Sequence, residues 1–140
     1  MKIVFFTFYY PPDLCAGSFR AIALVQSLSK KMKENDELHI ITTHPNRYEN
    51  HREKANNIQK NGNITVHRFS VPSHKSEMFS QARSFASYAL ASYKLVNTLN
   101  PDFLIGTTSR LMTGVLTGIS GRKLKCKYFI DLRDIFSETI

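Results

Sequence analysis

The sequence predicts an α/β fold with a doubly wound, mainly parallel Rossmann-like sheet. Three observations carry that expectation. Short β-branched and aromatic runs recur along the chain, amphipathic stretches of helical period lie between them, and Pro-Pro, Asn-Pro or a glycine marks changes of element.

Lys2 to Thr7 (KIVFFT) shows little alternation, as expected of a strand covered on both faces of a parallel sheet. It stops at Tyr9-Tyr10-Pro11-Pro12-Asp13. Ser18 is placed as the N-cap of a first helix in which Ala21, Leu24, Val25, Leu28 and Met32 share one face, with Arg20, Gln26, Ser27, Lys30 and Lys31 turned outward. Glu37 to Thr43 (ELHIITT) reads as the second strand. The polar stretch from His44 to Gly62 has too little apolar content for more than an exposed loop or a small helix. Ile64 to Phe69 (ITVHRF) alternates and reads as a third strand. From Lys75 to Leu99 the residues Met78, Ala82, Phe85, Ala89, Tyr93 and Val96 return every three or four positions, which predicts a long helix ending before Asn100-Pro101. Phe103 to Thr107 (FLIGT) is then a fourth strand, Met112 to Ser120 a short helix, and Lys127 to Leu132 (KYFIDL) a fifth strand.

With 140 residues, 42% of them hydrophobic, the chain suits one globular domain. A domain of this size buries roughly two-thirds of the surface its unfolded chain exposes and so folds without a disulfide or metal scaffold. Cys15 and Cys126 stand too far apart for a C-x-x-C motif, so no metal set is expected and both thiols are read as reduced. Lys2 is followed by only Ile3 to Phe6 before the Pro-Pro pair, and no apolar run reaches the ~18 residues of a membrane span. The expectation is a cytoplasmic protein, at most peripheral to a membrane. Asp134 to Ile140 look like the start of an element that is not completed, so residues 1–140 are read as one domain of a larger protein.

Nineteen Lys and Arg against 11 Asp and Glu give a net charge of +8, which favours anionic partners. The charge is uneven: between positions 110 and 133 the basic residues Arg110, Arg122, Lys123, Lys125, Lys127 and Arg133 face Asp131 alone among the acids. Arg122 to Lys127 precede the fifth strand, at the amino end of the sheet, and suit either a solvated edge or an anionic membrane surface. The aromatics of the long helix read as core, and no nucleic-acid-binding motif occurs.

Ligands of an open parallel sheet bind beyond the carboxyl ends of its strands, so the candidates are the loops after Thr7, Thr43, Phe69, Thr107 and Asp131, the first being the most informative. In the first, Gly17 permits close approach of a ligand to the backbone. The N–H groups around Gly17, Ser18 and Phe19, with the helix dipole, form a phosphate-sized anion site to which Arg20 can add charge. The same residues also fit a tight turn with a solvated arginine. Gly106-Thr107-Thr108-Ser109-Arg110 offers hydroxyls and a cation, or equally a helix cap. Asp131-Leu132-Arg133-Asp134, with Glu138 one turn on, is either a binding cluster or an internal ion pair. Neither G-x-G-x-x-G nor G-x-x-x-x-G-K-[ST] is present, so dinucleotide fingerprints and the P-loop do not apply.

Taken in order, Lys2 to Arg20, the Ala-Leu-Val-Gln-Ser-Leu-Ser helix, Pro101-Asp-Phe-Leu-Ile-Gly-Thr107 and Asp131-Leu-Arg-Asp134 resemble the N-terminal half of the family 4 (group 1) glycosyltransferases of the GT-B fold. The resemblance implies an acceptor-side Rossmann-like domain whose C-terminal partner domain holds most of the nucleotide-sugar. It implies transfer with retention of anomeric configuration, no cofactor and generally no metal. Gly17 would approach the donor diphosphate with Ser18 and Arg20 close by, Ser109 and Arg110 would face the cleft, and Asp134 and Glu138 would line the acceptor side; no catalytic residue is assigned. The implied partners are a nucleotide-sugar donor, a glycan or lipid-pyrophosphate acceptor and an anionic membrane surface, with no nucleic acid, and the implied setting is bacterial cell-surface polysaccharide or lipopolysaccharide synthesis. Two alternatives stay open: a GT-B sugar-nucleotide epimerase or hydrolase half, and a non-catalytic anion-binding module.

Overall fold

The alternation of strand and helix resolves, in a computed structural model that describes residues 1–45, 55–72 and 78–133, into a six-stranded sheet with helices on both faces. In chain order the elements are β1 (Lys2–Phe6), α1 (Ala16–Ser29), β2 (Glu37–Thr43), β3 (Ile58–Asn61), β4 (Ile64–Phe69), α2 (Met78–Leu99), β5 (Phe103–Thr107), α3 (Leu111–Leu124) and β6 (Lys127–Asp131). The strand order is β3-β4-β2-β1-β5-β6, and every pairing is parallel except β3 with β4. Chain direction across the sheet reverses between β4 and β5, so β1 and β5 flank the topological switch point.

Side chains alternate between two cores, as a two-residue strand period requires. Ile3 and Phe5 of β1, Leu38 and Ile40 of β2 and Val66 of β4 pack beneath Ala21 and Val25 of α1. Val4, Phe6, Ile41 and Leu104 turn the other way and pack with Tyr88 and Val96 of α2 and Leu116 of α3. Burial of these residues on both sides of β1 explains why KIVFF carries no polar alternation.

Three local expectations change. The stretch read as a loop or small helix contains β3, whose four residues are all exposed; it forms a hairpin with β4 through Gly62, at φ 60°, and Asn63. A polar edge strand lacks the apolar signal on which the reading relied, although Asn61-Gly62 is itself a hairpin signature. Ser18 is not the cap of α1. Cys15 takes the extended cap conformation, and the helix begins at Ala16, which puts Gly17 and Ser18 inside the first turn. The helix after β5 is longer than Met112 to Ser120, running from Leu111 to Leu124 with Arg110 as its cap residue and Lys125 in the left-handed conformation just after its end. The proposed start of the long helix at Lys75 lies outside the described residues, as do Asp134 and Glu138.

Candidate ligand site at the switch point

The loop leaving β1 is held in place by hydroxyls. Thr7 donates to the Tyr9 carbonyl at 2.9 Å, and Thr42 and Thr43 at the end of β2 donate to the Phe8 carbonyl at 3.3 and 2.8 Å. From α2, the buried Tyr88 hydroxyl reaches the carbonyls of Thr7 (3.2 Å) and Ile41 (2.8 Å), and burial raises its pKa. These contacts satisfy backbone groups where β1 and β2 part, and so fix the direction in which the loop leaves the sheet. On its far side, Arg68 donates to the Pro11 carbonyl at 2.9 Å.

Gly17 sits under this loop. A Cβ at this position would stand 3.3 Å from the Tyr9 ring, 3.4 Å from Nη1 of Arg133 and 3.5 Å from Cβ of Ser109. The residues after β1, β5 and β6 therefore converge on one glycine at the amino end of α1. Phe19 donates to the Cys15 carbonyl, so the N–H groups of Ala16, Gly17 and Ser18 have no acceptor within the helix. Oriented N–H groups, the positive end of the dipole and a guanidinium together suit an anion. Both Ser18 and Ser109 bury a hydroxyl oxygen with no hydrogen-bond partner among the described residues.

The two other arginines in this region are occupied. Arg20 grips Asp131 with two hydrogen bonds, Nη2 to Oδ1 at 2.8 Å and Nε to Oδ2 at 3.2 Å, and Thr107 adds a third contact to Oδ2 at 3.4 Å. Within the Asp131 cluster the ion pair seen among the described residues joins Asp131 to Arg20 of α1; Asp134 and Glu138 lie outside those residues. The Arg110 guanidinium lies 4.4 Å over the Phe8 ring and donates to the Tyr9 hydroxyl at 3.2 Å. Thr108 joins β5 to β6 at their carboxyl ends, donating to the Asp131 carbonyl at 3.2 Å and accepting the Arg133 N–H at 3.0 Å.

Gly17, next to Ser18 in α1, thus lies beside Ser109, and the cation beside it is Arg133, with Arg20 turned to Asp131. Tyr9 and Arg133, which stand in the sequence as parts of the Tyr-Pro loop and the Asp131 cluster without a role of their own, are the two residues the structure adds beside Gly17. The Tyr-Pro loop does not say which tyrosine turns to the ligand side, and Arg133 is screened in sequence by its acidic neighbours. At the opposite end of the sheet, Arg122, Lys123, Lys125 and Lys127 are all exposed, outside the switch point as expected. No helix among the described residues is long and apolar enough to cross a membrane.

No protein-family model and no curated protein sequence matches the chain. Among solved structures, it is similar to a UGT transferase from Siraitia grosvenorii determined in complex with UDP, with a TM-score of 0.52 and 12% identity, over 92% of this chain and 27% of that one. At that identity the likeness concerns architecture: the chain has the fold of a Rossmann-like GT-B half.

Proposed function

We propose that the chain is the N-terminal, acceptor-side half of a retaining family 4 (group 1) glycosyltransferase, transferring a sugar from a nucleotide-sugar to a glycan or lipid-linked acceptor in bacterial cell-surface polysaccharide assembly. A second Rossmann-like domain would complete the donor site, and the 140 residues alone would bind weakly without turnover. The observation that carries this reading is the bare backbone of Gly17 at the amino end of α1, ringed by Tyr9, Ser109 and Arg133. The neighbour's UDP complex and the motif order of the sequence support it.

In such a transfer the bond from the anomeric carbon to the donor diphosphate breaks, one to an acceptor oxygen forms, and negative charge grows on the departing phosphate. In this reading the N–H groups of Gly17 and Ser18 and the Arg133 guanidinium stabilise that charge, the step at which preorganised donors matter most. Arg20 acts indirectly, holding Asp131 and through it the ends of β5 and β6. Exposed Arg122, Lys123, Lys125 and Lys127 would meet anionic lipid at the inner face of the membrane.

The test is a titration of the isotope-labelled chain with UDP-, GDP- and ADP-sugars, read by the amide resonances of Gly17, Ser18, Ser109 and Arg133. One donor should shift all four. Gly17→Val, whose methyls would enter the space before Tyr9 and Arg133, should abolish the shifts without unfolding the chain. Shifts that persist unchanged in Gly17→Val would overturn the assignment of the phosphate to this loop, and sugar transfer by these 140 residues alone would overturn the half-site reading.

A further inference from the structure

The loop after β1 has a second side. Tyr9 turns to the switch point, whereas Tyr10, Pro11 and Pro12 close one end of a groove of about 590 Å³ on the α1 face of the sheet. The groove runs along the flank of α1, where Val25 and Gln26 of that helix and Val66 and Arg68 of β4 line it together. Its apolar walls include Val25 and Val66, its polar ones the amides of Gln26 and Gln59, and no acidic residue lines it among the described residues.

Arg68 is the one charged residue among the described residues of that lining, and it is 5% exposed. Every partner of its guanidinium is neutral: Nη1 donates to the Asn56 carbonyl at 3.3 Å and to Oε1 of Gln59 at 3.0 Å, and Nη2 to the Pro11 carbonyl at 2.9 Å. Nε has no hydrogen-bond partner, and no carboxylate among the described residues forms a salt bridge with Arg68. A guanidinium taken out of water without a counter-charge is costly, and an anion brought into the adjoining groove recovers part of that cost through charge-assisted hydrogen bonding. Burial acts against the charged forms of both Arg68 and the adjacent Tyr10, so the protein supplies no balancing phenolate. Amides set along an apolar wall are the partners that sugar hydroxyls and ring faces use, and the volume suits a small ligand.

We infer that this groove binds a small polyhydroxylated anion, an acidic or phosphorylated sugar, with its carboxylate or phosphate at Arg68 and its hydroxyls on Gln26 and Gln59. The inference does not depend on the nature of the switch-point ligand, because the two sites lie on opposite sides of the Tyr9-Tyr10 step.

The experiment titrates the labelled 140-residue chain with D-glucuronate, D-glucose 6-phosphate and D-glucose, following amide resonances. At least one of the two anions should shift Gln26, Ser29, Gln59 and Asn61, and the tighter of them identifies the anionic group; glucose should shift none of these. Arg68 ties three segments together, so the decisive variants are on the exposed flank of α1. Gln26→Glu sets a carboxylate in the groove and should weaken anion binding at least about tenfold, whereas Gln26→Lys sets a cation there and should tighten it. Equal shifts with neutral glucose, no shift with either anion, shifts confined to Gly17, Ser18 and Ser109, or an unchanged affinity in Gln26→Glu would each overturn the inference. The third of these would leave the switch-point proposal standing.

Discussion

The two faces of the sheet are covered in different ways. On the side of α2 and α3, glycines let side chains press onto backbone: a Cβ on Gly106 of β5 would fall 2.8 Å from Cβ of Thr117, and one on Gly121 of α3 would fall 2.9 Å from Cγ of the Tyr128 ring. On the side of α1 a single helix sits on branched aliphatic residues and leaves β4 flanking an open groove. The dense face fixes where strands end and how the β1 loop departs, whereas the loose face has room for a ligand. Close packing transmits position, and incomplete cover creates volume.

Substitutions that change only volume should separate the faces most sharply. Gly106→Ala drives a methyl into the buried Thr117 and should cost about 1–3 kcal/mol in chemical denaturation, and Thr117→Gly in the same chain should recover part of the loss. A Gly106→Ala chain as stable as the parent would mean that the dense face can relax, and the contrast would fail. Tyr88→Phe keeps the ring and removes the donor to two strand-end carbonyls; about 1 kcal/mol should be lost, with amide shifts concentrated at Phe8 to Tyr10. Gly118, on the same helix as Gly121, has nothing within 4 Å of a built Cβ, so Gly118→Ala should raise stability by up to ~1 kcal/mol through helix propensity alone. Opposite signs at Gly106 and Gly118 would show that the tight packing belongs to the sheet-facing side of α3 and not to the helix as a whole.

The smallest effect concerns the part of the dense face that α2 does not reach. There His67 and His39 stack with ring nitrogens 3.0 Å apart, and Glu37 stands 3.5 Å from the far nitrogen of His39. Burial first, and His39 second, hold the His67 pKa below its ordinary 6.5. The unfolded chain therefore binds more protons than the folded one just below that value, and stability should fall as pH drops through about 6.5. His67→Gln should flatten the denaturation midpoint between about pH 7.5 and about pH 5; an unchanged slope would place the proton uptake elsewhere.

The strands of both cores were legible because burial on two faces removes alternation and burial on one imposes it. What escaped were features whose partners are remote in sequence. The parity of β4 did carry one such feature: Ile64 and Val66 face α1, and Arg68 continues that register, so period two already puts an arginine on the inner face. The swap of roles between Arg20 and Arg133 had no such signal, because it depends on how far α1 slides along β5 and β6. Ser18 misled because a hydroxyl near a helix start resembles a cap, while Cys15 adopts the cap geometry without one.

The two outer strands differ as well. Four-residue β3 presents Lys60 and Asn61 and is exposed throughout, a blunt margin for another strand to pair with. Among the described residues nothing pairs with the outer side of β6, where Tyr128 and Phe129 are 40% and 56% exposed. The two margins therefore differ in the side chains they present, polar and charged along β3 and aromatic along β6.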